Sequence, residues 1–467
     1  MPEPSRIVHL ATQVAANTAK VDAYLTANSL PSPSFAADYA TAASESPIPS
    51  SAPAEIKAAH QAVLRDALEL HQLMLGPREH LNNISTPNYL LTQLAIVRLN
   101  LANAIPLTGN SQVTFSHLAA STSPSIPEKQ IRKIIRHAVA QRVFTEPYPG
   151  VVSHSAASAL LATDPDLAGW IHWLVSDCWP AAYRALDAMA RWPDSEEPHH
   201  TGFALAHYHD GNFTNPDNNI SLFDFLPRDP ARASRFAAGM RLYAKRPGVQ
   251  VRYSVEGWLD GWKWLLTSSS SSGKERAKVV DIGGSHGQFA QLLAQTCPNL
   301  IQQIIVQDID AATISRASSS LPESLAKQVT YMTHDFFKPQ PVPHARVYFF
   351  RYCFHNWSDK YAVQMLNALK GAMKKGYSYV VINDVVIPSK EELDDLERDG
   401  RPVDLVGLRT SDLAMAYLFN ASDRERSDWE RLFELAGPGF RVERCDMVGG
   451  AGMGIVVALW VGEEGDS

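Results

Sequence analysis

Late in the chain, FRYCFHNWSD (Phe350–Asp359) places a histidine just after ARVYFF, a run that reads as a buried strand. An imidazole there has a chemical use. Its unperturbed pKa of about 6.5 leaves much of it neutral near pH 7, free to take a proton from a weak acid. A histidine at a strand end is also an ordinary packing residue, so His355 needs company before it reads as a base. Three upstream stretches supply it. VVDIGGSHGQFA (Val279–Ala290) is a hydrophobic strand running into Gly283, Gly284 and Gly287, then a helix. Such glycines let the backbone turn sharply and let a ligand come close. The dinucleotide fingerprint GxGxxG fails here, because Ser285 and Gln288 stand where glycines are required. Asp308, in IIVQDID, ends the next strand 21 residues after Gly287. A carboxylate so placed can accept both hydroxyl hydrogens of a ribose, with Asp310 as the competing assignment. HDFF (His334–Phe337) ends a third strand; there Asp335 and Phe336 suit an adenine ring, one by hydrogen bond and one by stacking.

These groups need a frame that gathers strand ends. AKVVDIGG, LIQQIIVQDID, QVTYMTHDFF, ARVYFFRYC, SYVVINDVVIP and GIVVALWVG read as strands. HGQFAQLLAQTCP, DKYAVQMLNALKGAMKKG and RSDWERLFELAGPGF read as helices between them. Strands alternating with helices of this length predict a mostly parallel sheet covered on both faces, an α/β domain. Ligands of open α/β sheets bind at the carboxyl ends of the strands, where the four motifs fall in order.

The set VVDIGGSHG, VQDID, HDFF, RYCFHNWSD and NASDRERSDWERLFELAG resembles the S-adenosylmethionine-dependent O-methyltransferases of the plant caffeic-acid type and their fungal secondary-metabolism relatives. The match is clearest from about Phe223 to Leu459. It implies a Rossmann-like catalytic domain over residues 171–467 and a helical, winged-helix-like dimerisation domain over 1–170. It implies S-adenosyl-L-methionine as cofactor and a phenolic or enolic small molecule as acceptor, within a homodimer. Residue by residue, Gly283 and Gly284 match the glycines beside the methionine part of the cofactor. Asp308 matches the ribose acid, Asp335 and Phe336 the adenine pair, and Arg351 a basic residue near the cofactor. His355 matches the catalytic base, with Asp384 and Glu425 as the two acids that flank it. Met240 matches a methionine that packs on the flat acceptor. The chain departs from the family at Ser285 and His286 in the glycine turn. It also has Asn356 where an aspartate usually follows the base, and Asp384 where a glutamate is usual. The last two departures keep open a relative of the same fold that binds S-adenosylmethionine and steers a pericyclic reaction or dehydration instead.

The rest of the chain narrows the classes. The 467 residues are 45% hydrophobic and 19% charged, with net charge -7, and the pI is about 6.1. That is ordinary for a globular enzyme and argues against nucleic acid or an anionic membrane surface as partner. Cys178, Cys297, Cys353 and Cys445 are scattered, which points to neither disulfide framework nor zinc site and suits a reduced, cytoplasmic protein. The first twenty residues lack a signal-peptide core, and GIVVALWVG is too short to span a bilayer. A helix is expected over Ile7–Ala27, a Pro/Ser/Ala linker over 31–54, and an amphipathic helix stopped at Gly76-Pro77. VTFSHLAAST, PEKQIRKIIRHAVAQRVF and TEPYPGVVSHSAASALLA read as helix, turn, helix and wing. Lys129, Arg132, Lys133, Arg136 and Arg142 could meet phosphates, yet the acidic chain and large second domain favour a packing or dimer surface. Seven tryptophans between Trp170 and Trp264 read mostly as core, some as walls of an apolar pocket. Thr267–Gly273, TSSSSSG, reads as an exposed loop.

Overall fold

A computed structural model describes residues 5–42, 46–108, 111–207, 220–246, 248–267, 276–398, 404–448 and 452–463. The serine-rich loop, apart from Thr267, lies outside them. The chain forms two compact units, Met1–Ser176 with Ser234–Gly239, and Asp177–Ala233 with Met240–Ser467.

In the first unit α1 (Arg6–Ala27) packs on α2 (Ala54–Ile84) through Val21, Leu25 and Ala59, joined by Ile48 and Ala52. The expected stop in α2 is an interruption: Gly76, at φ 73° and ψ 166°, breaks the helix and Pro77 restarts it. Proline is tolerated at a first helical turn because its missing N–H has no intrahelical role there. After α3 (Asn88–Arg98) come β1 (Gln112–Thr114), α4 (Phe115–Ala120), α5 (Glu128–Ala140), β2 (Phe144–Tyr148) and β3 (Val151–His154). The three strands pair antiparallel in the order β1-β3-β2. Phe115, Leu118, Ile131, Ile135, Phe144 and Val152 form one buried core beneath them. Much of the basic charge on α5 and just past its end is already answered. Arg132 pairs with Glu128, Arg136 with Glu146 at 2.9 Å, and Arg142 lies over the ring of Phe35.

The second unit is built on β4 (Ala277–Ile282), α6 (Gln288–Thr296), β5 (Ile301–Asp308), α7 (Ala311–Ser319), β6 (Val329–Thr333), β7 (Val347–Arg351), α8 (Asp359–Lys370), β8 (Tyr379–Ile387), α9 (Leu405–Phe419), β9 (Arg424–Glu425), α10 (Arg426–Leu435), β10 (Phe440–Val448) and β11 (Met453–Trp460). The sheet order is β10-β11-β8-β7-β4-β5-β6, with the two-residue β9 paired to β8. From β6 to β8 all neighbours are parallel; β11 and β10 close the edge antiparallel. β8 is buried along its whole length, and its alternate residues serve opposite faces. Tyr379, Val381, Val385 and Ile387 join one core; Val380, Ile382 and Val386 join the other. Parity therefore sends Asn383 to one face and Asp384 to the other. Strand order reverses between β4 and β7, which opens a crevice at their carboxyl ends.

Candidate active site

The glycine turn leaves β4 at that crevice. Gly283 (φ 71°) and Gly287 (φ 72°) are left-handed, where L side chains are strained. Space is also closed to them: a Cβ on Gly283 would lie 2.8 Å from Cys353 Sγ, and one on Gly284 2.6 Å from the Asp281 carboxyl. Asp308, ending β5, accepts the Ser285 N–H on one carboxylate oxygen and the Asp310 N–H on the other, both at 3.1 Å. Each oxygen keeps a lone pair for a further donor. Asp310 is occupied as the N-cap of α7, accepting from Ala312 N and from Thr313 Oγ1 at 2.6 Å. Each acid thus takes one donor per oxygen, and what distinguishes Asp310 is that its donors belong to the helix it caps. Past β6, the half-buried Asp335 accepts the Phe337 N–H on Oδ1. The Phe336 ring stands edge-on to Phe337 and Trp357 at 4.9 and 6.1 Å, half-buried beside them. Beneath the turn Asp281 is buried, with Oδ2 unpaired among the described residues. Burial pushes its carboxyl up to about 7, against a smaller opposing pull from Arg351. A narrow glycine cradle, a carboxylate with spare lone pairs and an open aromatic ring fit a nucleoside carrying a cationic sulfur, as S-adenosylmethionine does.

Arg351, last in β7, is more occupied than expected. Its Nε donates to Asn383 Oδ1 at 3.1 Å, and an Nη donates to the Val249 carbonyl. Burial lowers its pKa, opposed by Tyr352 first and then by Asp281 and Asp384. Tyr352 follows with φ 55°, a left-handed conformation that costs a non-glycine residue on the order of 1 kcal/mol. That bend carries the chain from the strand into the single turn Phe354–Asn356 that bears His355.

The His355 side chain is 14% exposed, and two carboxylates approach its Nδ1. Asp384 Oδ1 lies at 3.6 Å and Asp423 Oδ1 at 3.4 Å. Both acids are buried. Asp384, though a methylene shorter than glutamate, also accepts the His355 backbone N–H at 3.2 Å. With Nδ1 facing both acids, Nε2 is the nitrogen left for a substrate. Burial works to lower the histidine pKa, but Asp384 and Asp423 outweigh it, and the net shift is upward. Burial likewise raises the Asp384 pKa, His355 partly opposing it. His355 Nδ1 and both Asp423 oxygens have no aligned hydrogen-bond partner among the described residues. Two of these atoms, His355 Nδ1 and Asp423 Oδ1, still face each other at 3.4 Å as an ion pair without an aligned hydrogen bond.

Glu425, one of the two acids expected here, is not at the imidazole. Its carboxylate pairs with Arg409 at 2.8 Å and caps the first turn of α10 in a reciprocal box with Asp428. The acid beside the ring is Asp423, two residues earlier. The sequence carries little warning of this: Glu425 and Asp428 have the three-residue spacing of a capping box but not its Ser/Thr and Glu/Gln residue types. Asn356, suspected of weakening the base, turns its amide to the Tyr352 carbonyl at 3.3 Å. Met240 is 42% exposed on the helix Pro230–Ala244. One turn on, the Tyr243 ring stands 5.8 Å from Tyr352, whose own ring centroid is 5.4 Å from that of His355. Of the tryptophans, Trp173, Trp258 and Trp262 are core, and Trp192 stacks on His200.

The chain is similar to known proteins in sequence and in fold. The family described as an O-methyltransferase domain matches residues 264–441. The chain is 37% identical to O-methyltransferase pyvH of Aspergillus violaceofuscus over 464 residues, covering 98% of this chain and 99% of that one. It is 33% identical to the grayanic acid biosynthesis cluster O-methyltransferase of Cladonia grayi, covering 98% and 88%. Among solved structures, OxaC superposes with TM-score 0.69 at 20% identity, covering 97% and 98%. One described as a pericyclic reaction enzyme gives TM-score 0.62 at 21% identity, covering 86% and 94%. At such identities these two speak for the fold.

Proposed function

We infer that this chain, which belongs to the S-adenosylmethionine-dependent O-methyltransferases, uses His355 as the general base that readies an acceptor hydroxyl for methylation. The observation that carries this reading is the imidazole at the end of β7, with Asp384 and Asp423 both at Nδ1. S-adenosylmethionine, when bound, supplies a methyl group made electrophilic by its sulfonium. Gly283, Gly284, Asp308, Asp335 and Phe336 are the residues that would hold it. Neutral His355 takes the acceptor's proton on Nε2. Asp384 and Asp423 hold the Nδ1 proton, fix the tautomer and stabilise the imidazolium that results, a role buried carboxylates commonly serve. Arg351 offsets the buried charge of Asp281 and Asp384. The acceptor is a flat phenol or enol of the secondary-metabolite kind, packed against Met240; aromatic residues near the base, Tyr243 and Tyr352 among them, support this.

His355→Gln, with S-adenosylhomocysteine affinity measured in parallel, tests the base. Turnover should fall by about 10²–10⁴-fold, the usual worth of a general base, while affinity stays within about twofold. Wild-type turnover removes His355 from the role. A pericyclase of the same fold is less favoured, because the near full-length relatives are named O-methyltransferases. Labelled cofactor with candidate phenols separates the two: label in the product means methyl transfer.

The first unit is proposed as the dimerisation module, its helix-turn-helix and hairpin serving as packing surface. Exposed apolar side chains support it: Leu64, Leu68, Leu81, Ile84 and Leu91 lie between 52% and 67% exposed. Cytoplasmic location is proposed with it, supported by four free cysteines. Among the described residues no helix is long and apolar enough to cross a membrane.

A further inference from the structure

A base held on one isolated turn needs restraint from outside. Phe354–Asn356 is a single 3-10 turn after a left-handed residue, too short for cooperative stability of its own. Asp384 ties down its N–H at His355; the carbonyls on either side remain, that of Phe354 already accepting the Trp357 N–H at 3.0 Å on one lone pair. Both go to one side chain. Arg424 donates from Nη1 to the Phe354 carbonyl at 3.1 Å and from Nη2 to the Trp357 carbonyl at 2.9 Å. Its Nε and Nη2 also meet Asp359 Oδ1 at 3.1 and 2.8 Å. The guanidinium carbon lies 5.2 Å from the centroid of the buried Trp429 ring, and the arginine is 1% exposed. The chain just beyond the turn is fixed too, by Ser358 Oγ and Lys360 N–H donating to Glu196 at 2.8 Å each.

We propose that Arg424 is a positioning residue for the base: it clamps the His355 turn at both carbonyls while its neighbour Asp423 presents the carboxylate to the ring. β9, paired to β8 at Val386–Arg424, sets both side chains at once. An arginine is required because three acceptors are met by one rigid planar fork of five donors; the three donors of a lysine ammonium cannot reproduce that pattern. The groups that face or act on the imidazole are Asp384, Asp423, Arg424 and Tyr352. A loosened turn moves the ring away from the two carboxylates while the cost of burial remains.

The proposal rests on His355 being the base, so its test avoids turnover. The protein carries 13C-histidine, with the His355 resonance assigned by its loss in His355→Gln, and S-adenosylhomocysteine calorimetry counts folded sites. In Arg424→Lys, which keeps the charge, the His355 titration should fall by about half a pH unit or more, with full binding stoichiometry. Amide exchange at residues 354–357 should quicken about tenfold or more. Unmoved titration and wild-type exchange in a fully binding variant overturn the proposal. If Arg424→Lys does not bind, Asp359→Asn decides: its carboxylate is 24% exposed, and the change removes the clamp's ionic anchor together with the carboxylate's pair to the exposed Arg431. Faster exchange at 354–357 supports the clamp, and wild-type exchange overturns it. Failure of the base assignment is read separately, from the turnover of His355→Gln.

Discussion

Because His355 must be neutral to accept a proton, its surroundings set the pH at which the reaction runs. The folded pKa lies above the ordinary histidine value, so the acidic limb of the rate profile should lie above about pH 6.5, with rate rising as pH increases through it. Asp423→Asn removes one of the two carboxylates that hold the proton. Its limb should move to lower pH, and its plateau rate should fall by about one to two orders of magnitude, part of what general-base help is worth. Glu425→Gln should keep the wild-type limb and rate, because that side chain is spent on Arg409 and the α10 cap. A rate profile of both variants separates the two acids. His355 was legible from its neighbours in sequence. The second acid was not, because Asp423, Glu425 and Asp428 lie within one six-residue run. Telling them apart needs β9, a strand of two residues with no periodicity to read.

The elements around the glycine turn carry the next predictions. Asp308→Ala should weaken S-adenosylhomocysteine binding by about tenfold or more, roughly 1.4 kcal/mol, by calorimetry. Asp310→Ala should alter mainly the stability of α7, whose first turn it caps. Beneath them, Asp281 has a folded pKa near 7, above its unfolded value of about 4, so ionising it costs folded-state stability. That cost is absent below about pH 4 and grows as pH rises to about 7. Asp281→Asn should therefore raise the melting temperature of the cofactor-free protein at pH 8 by a few degrees, roughly, the gain shrinking as pH is lowered. The strands and helices bearing these residues were readable because hydrophobic runs of five to nine residues alternate with periodic helices. The resumption of α2 past Gly76-Pro77 was not, since that pair also marks a true helix end.

For the whole molecule the prediction concerns the first unit. A Leu64→Glu, Leu68→Glu double variant puts two charges on one exposed face of α2, where residues four apart are neighbours. Sedimentation should show the wild type at twice the chain mass and the variant at the chain mass, with S-adenosylhomocysteine affinity kept. A monomeric wild type removes the dimer proposal. The α/β class was visible in the order of motifs. The antiparallel edge was only half visible, because β10, FRVERCDMV, is too polar to announce itself as a strand.

β8 has a consequence for how such a chain can change. Two adjacent polar residues, Asn383 and Asp384, stand back to back in a strand buried on both faces. One serves Arg351 and the other His355. Their assignment is a matter of odd and even. Gaining one residue upstream within β8 would put the amide in the place facing the imidazole and Ile382 in the place facing the arginine; losing one would put the acid at the arginine and Val385 at the imidazole. A side-chain substitution along β8 thus touches one face at a time, whereas an insertion or deletion shifts its register against β7 and β11 and disturbs both faces together.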